Sequence, residues 1–229
     1  MEEHYLSPSG LRYALECPRC LVVADRFGIE SDGNMPWMSA FAAWQEKHFV
    51  GRTLSDEVPG APDWRVESKG SKSFRSAPLP LTGVSRSYVL KGRYDLLAVD
   101  RDGRTYIVDC KTSKPSDDKA DQYRLQLSAY ARMFEQPHPD DERAPIKIEG
   151  LGLLIHHPQG FDRLESTQSN AQHHFPIHSS FVAVDRDDQA VLDRARDIAT
   201  VLEARELPPL SDECSECQRE AFGHRQRSV

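Results

Sequence analysis

The apolar positions of this chain fall into two rhythms, and the changes of rhythm mark out its elements. Tyr123, Leu127, Tyr130 and Phe134 recur at steps of four, three and four, which predicts a helix over 119–134 with one apolar face. Val191, Ala195, Ile198 and Leu202 share a face in the same way; Asp187 or Asp188 caps that helix, and Pro208-Pro209 stops it. Phe41, Trp44 and Phe49, set against Glu46, Lys47 and His48, predict a helix over 38–50. Ser7-Pro8 reads as an N-cap with proline in the first turn, opening a short helix through Leu11 and Leu15 that ends near Pro18.

Elsewhere the apolar runs are short and β-branched. Val84 to Leu90, Tyr94 to Val99 and Tyr106 to Cys110 predict three strands, the last two joined at the turn Asp100-Arg101-Asp102-Gly103. Leu151 to His156 and Phe175 to Val184 predict two more. Residues 51–62 and 136–145 read as loops rich in glycine, proline or acid. The order is helices, three strands, helix, two strands, helix, which predicts one mixed α/β domain over residues 1–229.

Composition narrows this picture. The 229 residues are 38% hydrophobic and 28% charged, a balance that supports a packed core and excludes global disorder. No stretch approaches the roughly 18 to 20 apolar residues that cross a bilayer, so no membrane contact is expected. Met1-Glu2-Glu3-His4 is unlike a signal peptide, which makes a cytoplasmic location the expectation. The formal charge of −7 argues against a histone-like coat for nucleic acid. The charge is uneven, however. Between 65 and 93, Arg65, Lys69, Lys72, Arg75, Arg86, Lys91 and Arg93 face the single acid Glu67, a local balance of +6 in a chain of −7.

Reduced cysteines are the rule in that compartment, so the five present need another reading. Four form two equal pairs near opposite ends, Cys17-Pro18-Arg19-Cys20 and Cys214-Ser215-Glu216-Cys217. Each C-x-x-C offers two thiolates from one tight turn, and two turns complete a tetrahedral shell. A shared ion brings the two ends of the sequence together as a structural clasp. Two unrelated reduced pairs, or a redox motif, are the plainer alternatives.

Chemistry concentrates between 92 and 130. Asp109 and Lys111 differ by two on a strand and leave the same face. With Asp95 on the neighbouring strand, they form a set suited to phosphodiester hydrolysis. Two carboxylates can hold Mg²⁺ or Mn²⁺, and Lys111 can orient a water or balance charge on the phosphate. Gln126 and Tyr130 lie one helical turn apart on the helix that follows. Taken singly, each of these residues has an ordinary surface role; their order makes the joint case.

Gly92-x-x-Asp95, Val108-Asp109-Cys110-Lys111-Thr112-Ser113 and Gln126-Leu-Ser-Ala-Tyr130 resemble the motifs of the PD-(D/E)XK nuclease superfamily. The RecB-like branch, with the CRISPR-adaptation exonucleases, is the most similar. The resemblance extends to Leu6 through Cys20 and to Pro209 through Cys217. It implies a restriction-endonuclease-like core, a central mixed β-sheet flanked by helices. It implies Asp95, Asp109 and the Cys110 main-chain carbonyl as Mg²⁺ or Mn²⁺ ligands, Lys111 as catalytic lysine, and Gln126 and Tyr130 as the helix motif. A further ligand is expected on a helix before the core strands, where His48 is the best match and Glu46 the nearby substitute. Relatives with a 4Fe–4S cluster carry one early and three late cysteines. Here the pattern is two and two, Gly223 stands where the third late cysteine belongs, and His224 is adjacent. Zinc and an iron–sulfur cluster both remain open.

The leading expectation is a metal-dependent DNA nuclease acting on single strands or duplex ends, in DNA repair or recombination, with a helicase or integrase partner left open. Lys69, Lys72, Arg75, Arg86, Lys91 and Arg93 are the expected backbone contacts, and Phe74 and Tyr88 the expected stacking residues. The alternatives are a catalytically silent nucleic-acid-binding or assembly module with a structural four-cysteine site, and a zinc protein whose Asp-x-Lys is coincidental.

Overall fold

The computed structural model describes residues 3–28, 36–159 and 176–218, with side chains from Ser39 onward in the second span. Among these described residues, eight strands and five helices follow in the order β1 (Glu3–Leu6), α1 (Pro18–Phe27), α2 (Pro36–Phe49), α3 (Leu54–Glu57), β2 (Arg65–Lys69), β3 (Phe74–Arg75), β4 (Ser87–Gly92), β5 (Leu96–Val99), β6 (Thr105–Thr112), α4 (Lys119–Glu135), β7 (Ile148–Pro158), β8 (Ile177–Val184) and α5 (Asp188–Glu203).

The main sheet runs β2-β5-β6-β7-β8 and is mixed, parallel only between β6 and β7. That parallel pair needs a crossover, and α4 supplies it. A second sheet, β1-β4-β3, stands beside it. The β5–β6 hairpin turns where the Asp-Gly signal lies: the Gly103 amide donates to the Asp100 carbonyl at 3.1 Å, and Gly103 sits at φ 78°, a left-handed conformation that glycine adopts without cost.

Alternation along β6 sends its side chains to two different cores. Ile107 joins Leu127, Tyr130, Phe134, Ile198 and Leu202 on the α4/α5 side. Val108 joins Phe49, Leu54, Leu96 and Leu154 on the opposite side, where α2 lies. The strand is therefore buried on both faces from Tyr106 to Asp109, and its end from Cys110 to Thr112, which carries the lysine, is part-exposed.

Several expectations need correction. No helix runs through Leu11 and Leu15; the chain there makes successive turns, with the Leu11 amide on the Ser7 carbonyl and the Ala14 amide on Gly10. Pro18 opens a helix instead of closing one. Proline fits a first helical turn because its missing N–H is unneeded there, and Cys17 caps the helix through its sulfur. Strands β1, β2 and β3 lie where no strand was expected. The run from Val84 becomes a strand only at Ser87, and the loop over 51–62 holds the single turn α3. Phe175, Gly223 and His224 lie outside the described residues.

Candidate active site and cysteine cluster

Leu96 pairs with Val108 in the antiparallel β5–β6 ladder, so one further step places Asp95 opposite Asp109. The two acids meet at the hairpin's open end. Asp95 Oδ2 accepts the Cys110 amide at 2.8 Å, which fixes its carboxylate across the strand end. Asp109 is 1% exposed. Its Oδ1 accepts from Gln126 Nε2 at 2.9 Å, while Oδ2 takes no aligned hydrogen bond and is met by Lys111 Nζ at 2.5 Å.

Helix α4 locks this arrangement from one side. Gln126 reaches Asp109, and one turn later the Tyr130 hydroxyl donates to the Arg93 carbonyl at 2.8 Å. Both side chains are buried. Gly92 allows that approach: a Cβ there would stand 2.8 Å from Pro8 Cδ and 3.3 Å from Tyr130 Cε1. Gly70 has the same role on the other side, where a Cβ would collide with the Tyr94 carbonyl at 2.1 Å. Its amide donates to the Asp95 carbonyl at 3.1 Å.

The electrostatics are those of two acids and one cation with little water. Burial first, and the Asp109 charge second, push Asp95 up to about 8. Burial opposes the Lys111 charge, but Asp109 and Asp95 outweigh it and hold this lysine above its ordinary value. Lys111 is thus a permanent ammonium, suited to balancing charge and unsuited to taking a proton. Burial, followed by the same two acids, raises the Cys110 thiol well above its usual value, so its sulfur stays neutral.

Helix α2 contributes Glu46, which is 3% exposed. Arg93 grips it in a two-pronged pair, Nη1 to Oε2 at 2.8 Å and Nη2 to Oε1 at 2.7 Å, and Lys69 Nζ approaches at 3.3 Å. Glu46 also bears on Asp95 through its charge. His48 does not join the acids: its Nε2 lies 3.0 Å from Glu57 Oε2, and its ring stacks on Trp44. Position i+2 on a helix points nearly opposite to i, so the two candidates in Glu46-Lys47-His48 could not both face the strands.

The basic stretch over 65–93 is divided by the fold. Lys69 and Arg93 stand beside the acids on Glu46. Arg75 pairs with Glu3 at 2.9 Å, Lys91 lies 4.6 Å above the Tyr5 ring, and the Arg86 amide is held by Glu203. Lys72 is exposed. Phe74 is 4% and Tyr88 1% exposed, both in the core, so neither stacks on bases. The exposed aromatic on α2 is Trp44, on the His48 face of the helix and stacked on Phe41 at 5.5 Å. Sequence reasoning also missed Arg12. It contacts Gln122 and lies 5.6 Å from the Tyr123 ring, over which Lys111 also lies at 4.9 Å.

The four paired cysteines converge. Cys17 and Cys217 Sγ are 3.4 Å apart, Cys20 and Cys214 3.5 Å, and Cys20 and Cys217 3.8 Å. All four sulfurs lie within 4.8 Å of one another, the single such group of metal-binding side chains among the described residues. The contact joins positions 194 apart. Arg19 and Arg26 reinforce it by donating to the Pro208 and Ala204 carbonyls at 2.9 and 2.7 Å. The Cys217 amide, then Cys20, lower Cys214 to about 7, whereas burial and the neighbouring sulfurs raise Cys20.

Among the described residues no helix is long and apolar enough to cross a membrane. The sequence model of the PD-(D/E)XK nuclease superfamily matches residues 24–222. A search of the curated proteins returned no match. A solved structure, the crystal structure of SSO0001, superposes over 97% of this chain and 86% of its own, with 15% identity and a TM-score of 0.49.

Proposed function

The chain belongs to the PD-(D/E)XK nuclease superfamily, and from that membership we propose that it hydrolyses phosphodiester bonds in DNA, on single strands or at duplex ends, using Mg²⁺ or Mn²⁺. The observation that carries this reading is the Asp109–Lys111 pair at the end of β6, with Asp95 opposite and Gln126 on the acid's other oxygen. The residues suit a divalent ion. Two carboxylates face one ammonium, Asp109 is almost wholly buried, and Asp95 resists ionising beside it. Asp95, Asp109 and the Cys110 carbonyl would hold the ion. Once bound, the ion polarises the scissile phosphate and lowers the pKa of a coordinated water.

The chain's own groups do the rest. Gln126 holds Asp109 Oδ1 and so turns Oδ2 toward Lys111. Lys111, kept charged by its neighbours, orients the attacking water and balances charge growing on the phosphate oxygens. Tyr130 holds the Arg93 carbonyl and with it the turn leading to Asp95. Glu46 holds Lys69 and Arg93 at the edge of the site, where both meet the nucleic-acid backbone.

The test is cleavage of end-labelled single-stranded and duplex DNA with Mn²⁺. Wild-type chain should cut and Asp109→Ala should not; RNA cleavage in place of DNA cleavage would overturn the substrate assignment.

A further inference from the structure

We infer that the four paired cysteines hold one zinc ion in a closed tetrathiolate shell, and not an iron–sulfur cluster. Zinc–sulfur bonds of about 2.3 Å set the edge of a regular tetrahedron at about 3.8 Å. Three of the six sulfur separations, 3.4, 3.5 and 3.8 Å, match that edge, and the others lie within 4.8 Å, so the shell closes on one ion with shifts of about an ångström or less. A 4Fe–4S cluster puts a different iron under each thiolate, around a cage of eight atoms. Its four sulfurs must stand well apart, and here none is more than 4.8 Å from another. A disulfide needs about 2.05 Å, so no pair is bonded.

The local backbone points the same way. Cys17 Sγ accepts the Cys20 amide at 3.5 Å, and Cys214 Sγ accepts the Cys217 amide. Each C-x-x-C therefore makes the same tight turn, with an N–H offsetting thiolate charge. Two identical turns facing each other supply two ligands each to one centre. Cys110 takes no part; it packs with Phe49, Val66 and Leu154 behind the acids. Four thiolates leave no open position, so the ion is structural. It fastens the start of α1 to the segment after α5.

The deciding experiment is metal and acid-labile sulfide analysis of the untagged full-length chain, purified anaerobically from cells supplied with both iron and zinc. The result expected is about one zinc per chain, no sulfide and no visible absorption, with Co²⁺ exchange producing the intense colour of a tetrahedral thiolate site. Cys110→Ala should keep its zinc. Four irons with sulfide and a brown chain would overturn the inference, as would one iron per chain or a metal-free chain carrying disulfides. These readouts do not depend on nuclease activity, and wild-type stoichiometry decides the matter even if cysteine variants fail to fold.

Discussion

Gln126 donates to one oxygen of Asp109 at 2.9 Å while Lys111 faces the other at 2.5 Å, so a buried acid is clamped between a helix and its own strand. Removing the amide leaves Oδ1 without a partner. Gln126→Ala should cost about 1–3 kcal/mol of stability and reduce cleavage more than binding, because Asp109 loses its orientation. Chemical denaturation and single-turnover cleavage check both parts.

Asp95 and Asp109 oppose each other's charge when no cation lies between them. The folded chain keeps the Asp95 proton up to about pH 8, whereas the unfolded chain releases it near 4. Metal-free stability should therefore fall as pH rises from 4 to 8. Asp95→Asn should remove that slope and stabilise the metal-free chain by on the order of 2 kcal/mol at pH 8. Mn²⁺ should raise the Tm of the wild type and leave this variant nearly unchanged.

His156 titrates in the other direction. Burial first, and the His48 charge second, push it down to about 4. Its Nδ1 bonds Ser179 at 2.8 Å and its ring lies on Phe49. The unfolded chain takes up this proton near 6.5 and the folded chain does not, so stability is complete above 6.5 and is lost as pH falls towards 4. The full loss is about 3 kcal/mol. His156→Gln should flatten the curve of Tm against pH in that window.

Arg93, itself 41% exposed, neutralises the buried Glu46. Arg93→Ala leaves that carboxylate with Lys69 alone and should cost about 2–4 kcal/mol. Arg93→Lys should recover only part of it, since an ammonium cannot reproduce the two-pronged grip. Thermal melts of both variants, with DNA affinity measured alongside, test this directly.

The elements legible in the sequence are those whose contacts are local or whose faces differ sharply. Helix α4 declares itself through Tyr123, Leu127, Tyr130 and Phe134, and the β5–β6 hairpin through an Asp-Gly turn between apolar runs. The spacing of Asp109 and Lys111 follows from the strand period alone, and the cysteine pairs from their equal spacing. What escaped depends on distant partners. Strand β1 exists because Glu3–Leu6 pairs in parallel with Ser87–Leu90, and nothing in four residues announces it. Strand β2 reads as a charged loop because its residues alternate between core and solvent at a sheet edge, with only Val66 fully buried. The +6 stretch looked like one surface; folding sends Arg75 to Glu3 and Arg93 to Glu46. That Glu46 meets Arg93 while His48 meets Glu57 is a matter of helix rotation, set by how α2 packs on β6.

The central claim is that Lys111 acts on the reacting phosphate and is not merely the partner of Asp109. The most direct measurement is single-turnover cleavage of labelled single-stranded DNA with saturating Mn²⁺, comparing wild type with Lys111→Ala. The Mn²⁺-bound Tm of each serves as the folding control. The account predicts a loss of at least about a hundredfold in rate, equal to about 2.7 kcal/mol, with DNA still bound and the fold retained. Cleavage by the folded variant at close to the wild-type rate would contradict it.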